Sequence, residues 1–302
     1  MPRSASLAVS QNAAVGLFFM QRYRFLTIDQ YARVALLHRS TASNQLRHMQ
    51  HHGLLGAFGN TGIRGYGKTP KVYFLTRKGF DILHRDCGIP AELLGTHKKV
   101  HVDARWAPQM YHRLRTVDLM ISTEIAVRNR SHLTVVRTFL EYCRSKRGER
   151  VTCETADYVD KEETSENRLV PDAAFILENI ETKKRALFFV EMDMATERIV
   201  SHITRDNRIT LHYKMSQYDR YLKSLRYRQT YQAYGEFMYF QLLVVTLGDQ
   251  RIENIRREMG NLPADLAGYY RFTTFEKAMG DFLGAIWKSR SLTDTNVYSL
   301  VR

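Results

Sequence analysis

The segment Ala186-Leu187-Phe188-Phe189-Val190-Glu191-Met192-Asp193 narrows what this chain can become more than any other. It reads as a strand, and its two acids sit two residues apart. Side chains alternate across a strand, so Glu191 and Asp193 project from one face. Another strand precedes it, Val170-Pro171-Asp172-Ala173-Ala174-Phe175-Ile176-Leu177, and the polar segment 178–185 between the two is of hairpin length. Antiparallel pairing across it places Asp172, near the start of one strand, beside Glu191 and Asp193, near the end of the other. Three carboxylates at one sheet end repel strongly unless a cation neutralises them. Oxygen-only ligands favour Mg2+ or Mn2+.

The flanking segments extend this hairpin into an α/β domain. Residues 109–128 read as a long helix, with Leu114, Val117, Met120, Ile121, Glu124 and Ile125 on related turns. A strand over 134–142 follows, and then a charged loop or ragged hairpin over 144–168. After the acidic strands comes a polar helix over 204–225, whose Lys214, Tyr218 and Tyr221 share one face. A buried strand over 240–247, a helix over 250–259 and a short strand over 269–273 come next. Thr273-Thr274-Phe275-Glu276 then opens a final amphipathic helix with Phe275, Met279, Phe282 and Ile286.

The N-terminal third differs in charge. Residues 1–100 hold 14 Lys/Arg against 4 Asp/Glu, whereas the remaining 202 hold 31 against 27. A basic module of this kind attracts a polyanion, most simply nucleic acid. A helix over 9–22 is followed by Thr27-Ile28-Asp29-Gln30, a capping box for a second helix. Ser40 or Thr41 caps a third helix, which Gly53 ends. On that helix Ala42, Leu46 and Met49 form an apolar stripe, and Asn44, Arg47, His48 and His51 occupy the opposite face, free to enter a groove. A strand over 54–58, a Gly-rich tip with Arg64 and Lys68, a returning strand over 71–75 and a helix capped by Thr76 complete the order of a winged helix-turn-helix. DNA binding is one use of such a module; protein contacts or dimerisation is the other.

The length of 302 residues accommodates two domains. The expected division is a winged helix-turn-helix over 1–87, a linker over 88–105 and an α/β domain over 106–302. No apolar run approaches the roughly 20 residues of a membrane helix, and Gln21-Arg22-Tyr23-Arg24 stands where a secretory cleavage site would be. Cys87, Cys143 and Cys153 fit reduced thiols, and the expected location is cytoplasmic.

The order helix, three strands, helix, strand, with Pro-Asp on the second strand and Glu-x-Asp on the third, resembles the restriction-endonuclease-like core. Its motif is Pro-Asp, a variable gap, then an acid, any residue and Lys. The resemblance implies an α+β fold overall, with a mixed sheet flanked by helices in the second domain. It implies metal ligation by Asp172 and Glu191, and an auxiliary acid at Glu124. Asp193 stands where Lys is usual, and Lys214 is placed to supply the missing cation. The arrangement is also similar to the replication-relaxation family of plasmids and integrative elements, over roughly residues 10–250. The similarity rests on Pro171-Asp172-Ala173, on Glu191-Met192-Asp193-Met194-Ala195-Thr196, and on Lys214 with Tyr218 and Tyr221. Relatives include relaxases of mobilisable plasmids, in which these three acidic positions hold the metal and DNA is nicked at a transfer origin.

That resemblance implies a metal-dependent DNA nickase with Asp172, Glu191, Asp193 and Lys214 in the active site. Implied partners are double-stranded DNA, single-stranded DNA at an origin, other relaxosome or coupling proteins, and a second copy of the chain. The alternative is a non-catalytic DNA-binding regulator or relaxosome accessory protein with a degenerate nuclease fold. A tyrosine-based relaxase wants a His-apolar-His metal pair, and none of the 11 histidines has another at i+2. Tyr227, Tyr231, Tyr234 and Tyr239 are candidates either for stacking on unpaired bases or for core packing.

Overall fold

In the computed structural model, residues 9–63, 67–100, 105–107, 109–147, 150–195, 198–200 and 210–301 are described. The chain divides into two compact units, residues 1–117 and 118–302.

The first unit opens with α1 (Gln11–Tyr23), β1 (Leu26–Thr27) and α2 (Ile28–Ala35). The capping box of α2 forms as its sequence dictates. Thr27 Oγ1 accepts from the Gln30 amide at 3.2 Å, and Gln30 Oε1 accepts from the Thr27 amide at 3.0 Å. α3 (Arg39–His51) starts a residue or two earlier than expected, because the His38 ring, not Ser40 or Thr41, takes the cap by accepting from the Ser40 amide. β2 (Leu55–Gly59) and the short pair β3 (Gly62–Ile63) and β4 (Gly67–Lys68) lead into β5 (Lys71–Leu75). β5 is central in an antiparallel three-stranded sheet of order β1-β5-β2. α4 (Arg77–Arg85) follows, with Thr76 accepting from the Gly79 amide. Gly79 is obligatory there: a Cβ would stand 2.3 Å from the Leu54 carbonyl oxygen. Helix, turn, helix, wing and helix make this unit a winged helix-turn-helix.

The stretch read as a linker is bound along the first unit. It contains α5 (Ala91–Leu94), whose Leu94 is buried. Gln21 Nε2 donates to the Leu94 and Thr96 carbonyls at 3.0 and 2.8 Å, and Lys98 Nζ donates to the Arg22 carbonyl at 2.7 Å. These bonds satisfy backbone that a free linker would leave to water.

α6 (Gln109–Arg128) coincides with the expected helix and continues into the second unit. That unit is built on a seven-stranded mixed sheet. β6 (Leu133–Leu140) pairs with β11 (Ala173–Asn179), and β11 with β12 (Arg185–Asp193), all antiparallel. The 144–168 segment between them is more ordered than a loop. It forms two ladders, β7 (Arg144–Arg147) with β8 (Arg150–Cys153) and β9 (Asp157–Tyr158) with β10 (Arg168–Leu169), and Val159 and Leu169 enter the core. After β12 the chain crosses through α7 (Leu211–Ser224) and α8 (Arg226–Thr230) to β13 (Phe240–Thr246), which lies parallel to β12. α9 (Asp249–Glu258) makes a second crossover to the parallel β14 (Tyr270–Thr274). Parallel neighbours require such crossovers. α10 (Phe275–Gly280) is shorter than the expected final helix. Phe282 and Ile286 fall beyond it, and β15 (Trp287–Lys288) and β16 (Val297–Tyr298) extend the sheet instead.

One sheet face is a single apolar cluster. Ala174, Ile176, Leu187, Phe189, Leu242 and Val244 meet Met215, Tyr218, Tyr221 and Leu222 of α7 and Ile252 and Ile255 of α9. Alternation puts Phe175 and Phe188 on the other face, stacked at 4.8 Å, with Phe282 at the edge of Phe175. Among the described residues no helix is long and apolar enough to cross a membrane.

Candidate functional site

Ala173 pairs with Val190, so Asp172 lies one step further, opposite Glu191. Two bonds fix it at the mouth of β11. Its carboxylate Oδ2 accepts from the Met192 amide at 2.8 Å, and its carbonyl accepts from the Glu141 amide at 3.1 Å. By alternation Asp172 and Glu191 share the face covered by α7. Lys214 and Tyr218, one turn apart on α7, both reach Glu191. Lys214 Nζ stands 2.5 Å from Oε2, and the Tyr218 hydroxyl donates to Oε1. Asp172, Glu191 and Lys214 are therefore brought together.

Asp193 has a different partner from the one a three-carboxylate centre requires. Arg251 of α9 binds it through two nitrogens, and Asp193 Oδ1 also accepts from the Ala195 amide at 3.0 Å. The ion pair answers locally the repulsion that a third acid would create. Nothing in the sequence near Arg251 signals this role. Glu124 is buried on α6. Thr196 of the expected Glu-x-Asp-x-x-Thr pattern and Arg64 of the wing lie outside the described residues.

Burial sets the electrostatics of the pair. It pushes the Glu191 carboxyl up to about 8; the neighbouring Lys214 ammonium pulls it down and the Asp172 charge pushes it up. Burial and the Glu191 charge hold the Tyr218 phenol well above its ordinary range. Tyr218 is thus a proton donor to Glu191 rather than a phenolate nucleophile. Tyr221, the third member of the stripe, donates instead to Asp157, which also accepts from Thr230 Oγ1 at 2.5 Å. Tyr227 and Tyr231 are core residues, and Tyr234 packs against the same cluster. Tyr239 is half exposed, its ring 5.3 Å from that of Tyr269.

Among the described residues no group of three His, Cys, Asp or Glu is arranged to hold a metal. The donor set is two carboxylates on neighbouring strands. Mg2+ keeps several waters and is commonly held by one or two carboxylates plus substrate phosphate, so Asp172 and Glu191 fit such an ion. Their mutual repulsion is the kind of charge a cation relieves.

In the first unit, Ala42, Leu46 and Met49 are buried, and Asn44, Arg47, His48 and His51 are exposed on the opposite side of α3. Lys68 is exposed on β4. Lys71 Nζ donates to Gln50 Oε1 at 3.0 Å, tying the wing strand to α3.

Among known families, the one described as replication-relaxation matches residues 17–236. No curated protein and no solved structure matches the chain.

Proposed function

Because the chain belongs to the replication-relaxation family, we propose that it is a DNA-binding, metal-dependent nickase of a plasmid or integrative mobile element, acting in DNA mobilisation or replication. The observation that carries this reading is the meeting of Asp172, Glu191 and Lys214 at one end of the central sheet. An oxygen-preferring ion, Mg2+ or Mn2+, is the expected cofactor, with Asp172 and Glu191 as its protein ligands. Such an ion supplies Lewis acidity to the phosphoryl group and makes water a better nucleophile at neutral pH.

The chain's own groups supply the rest. Glu191 must lose its proton to serve as a ligand, and Lys214 stabilises that ionised form. Lys214, beside Glu191, would place its ammonium against the charge that grows on phosphate during displacement. Tyr218 holds the Glu191 carboxyl in place through Oε1. Asp193 positions Arg251, whose guanidinium suits phosphate geometry. In the net reaction one phosphorus–oxygen bond forms to water, one breaks to the departing sugar oxygen, and that oxygen takes a proton. The winged helix-turn-helix supplies duplex binding, with Asn44, Arg47, His48, His51 and Lys68 as the exposed candidates.

A second reading is favoured by the Asp193–Arg251 pair, which neutralises one of the three expected acids without a metal. In that case the protein is a DNA-binding regulator or relaxosome accessory factor. Supercoiled plasmid bearing the element's own origin separates the two. The nickase yields open circles with Mg2+ or Mn2+, none with chelator, and none with Asp172→Ala. The regulator footprints the same DNA and leaves it supercoiled with every metal.

A further inference from the structure

The last turn of α3 carries a second cluster of metal-ligating side chains, chemically unlike the carboxylate pair. His48 lies in that turn, and His52, four residues on, is the residue that caps the helix. Both are exposed. Their ring centroids are 4.5 Å apart and their Nε2 atoms 3.2 Å apart. Two imidazole nitrogens at this distance share one hydrogen: one Nε2–H donates to the lone pair of the other. A metal ion that replaces that hydrogen stands to one side of the line between the two nitrogens, bonded to both. With metal–nitrogen bonds of about 2.05 Å, a 3.2 Å separation corresponds to an angle of roughly 103°, close to tetrahedral.

The neutral ring is the ligand form. His51 stands beside the pair, its ring centroid 5.5 Å from that of His52. Imidazole selects zinc, copper and nickel, whereas carboxylates select magnesium and manganese.

We propose that His48 and His52 form a two-nitrogen chelate for a borderline transition-metal ion, Zn2+ being the simplest, with solvent completing its coordination. This site is independent of the nickase reading. It would place a removable positive charge on the surface of α3.

Titration calorimetry of the full chain, free of any affinity tag, with Zn2+ as the probe tests this. With Mg2+ in large excess to occupy the carboxylate pair, one Zn2+ is expected to bind per chain. His48→Ala and His52→Ala should each weaken it about tenfold or more, since even outer-shell partners of a metal ligand are worth 10–100-fold. His51→Ala and Asp172→Asn should leave it within about twofold. All three histidines are exposed, so the variants are expected to keep the wild-type far-ultraviolet circular dichroism. Absence of Zn2+ binding, or binding unchanged in His48→Ala and His52→Ala, overturns the proposal. So does binding lost in Asp172→Asn, which would place the ion at the carboxylates.

Discussion

Arg251 holds Asp193 by two parallel bonds, Nε to Oδ2 at 2.8 Å and Nη2 to Oδ1 at 3.2 Å. The Asp193 side chain is only 3% exposed. A carboxylate this buried needs its cation: removing one member of a buried pair costs about 3–5 kcal/mol, because the other charge is left without a partner. Arg251→Gln should therefore lower stability in urea unfolding by about 3 kcal/mol. The double variant Asp193→Asn with Arg251→Gln should lose much less than the sum of the singles. Strict additivity would mean that the two residues do not stabilise each other.

Glu191 gives the fold a pH dependence. Its carboxyl is raised from 4.5 to about 8, mainly by burial. Between those values the folded protein binds a proton that the unfolded chain has released. Stability from this group is thus present below the unfolded value and is lost as pH rises through the folded one, at most about 1.4 kcal/mol per pH unit. Glu191→Gln cannot titrate, so its urea midpoint should fall less between pH 6 and pH 8 than that of the wild type, both in chelator. Parallel losses would assign the slope to another group. The same proton competes with a metal, so Mn2+ affinity should rise with pH towards 8.

Local rules make much of this architecture legible in the sequence. Thr27 and Gln30 announce their capping box because both halves lie within one turn. The 109–128 helix and the acidic strands follow from side-chain period alone, and the hairpin-length segment 178–185 fixes which strand edge meets which. Those two rules together bring Asp172 to the sheet end that carries Glu191 and Asp193; the register that sets it opposite Glu191 is seen in the structure. Arg251 is not legible in this way. It is a polar residue on a polar helix, 58 residues from Asp193, and only the docking of α9 against the end of β12 brings the two together. The same holds for the segment after Pro90, where Gln21 binds backbone more than 70 residues away. The pattern of β15 and β16 is too short, at two residues each, for alternation to show.

Asp219 and Arg290 form a deeply buried ion pair, at 3.1 and 3.2 Å, with the Tyr270 hydroxyl adding a third bond to Asp219 at 2.5 Å. Arg290 Nη2 also donates to the Pro263 carbonyl. The pair joins α7, which lies inside the family match, to a segment beyond its end at residue 236. Arg290→Met leaves the Asp219 charge buried with a single hydroxyl donor, and should cost about 3–5 kcal/mol. Asp219→Asn with Arg290→Met should recover part of that loss. A shift in melting temperature of less than a few degrees for Arg290→Met would show that solvent reaches the pair.

Arg47 is exposed at the centre of the polar face of α3, opposite buried Leu46 and Met49 and one residue from His48. A guanidinium that meets phosphate contributes through counterion release, which acts alike on every sequence. A guanidinium that meets a guanine edge instead contributes at one base pair. If Arg47 meets phosphate, Arg47→Ala should reduce the slope of log affinity against log salt by about 1 and weaken all duplexes equally. If it reads a base, the slope should hold and the preference at one position should relax by about 1–3 kcal/mol. Anisotropy titrations of labelled duplex at several salt concentrations separate the two outcomes. Unchanged affinity in Arg47→Ala, with Lys68→Ala also unchanged, would remove DNA from this face of the winged helix and leave the module to protein contacts.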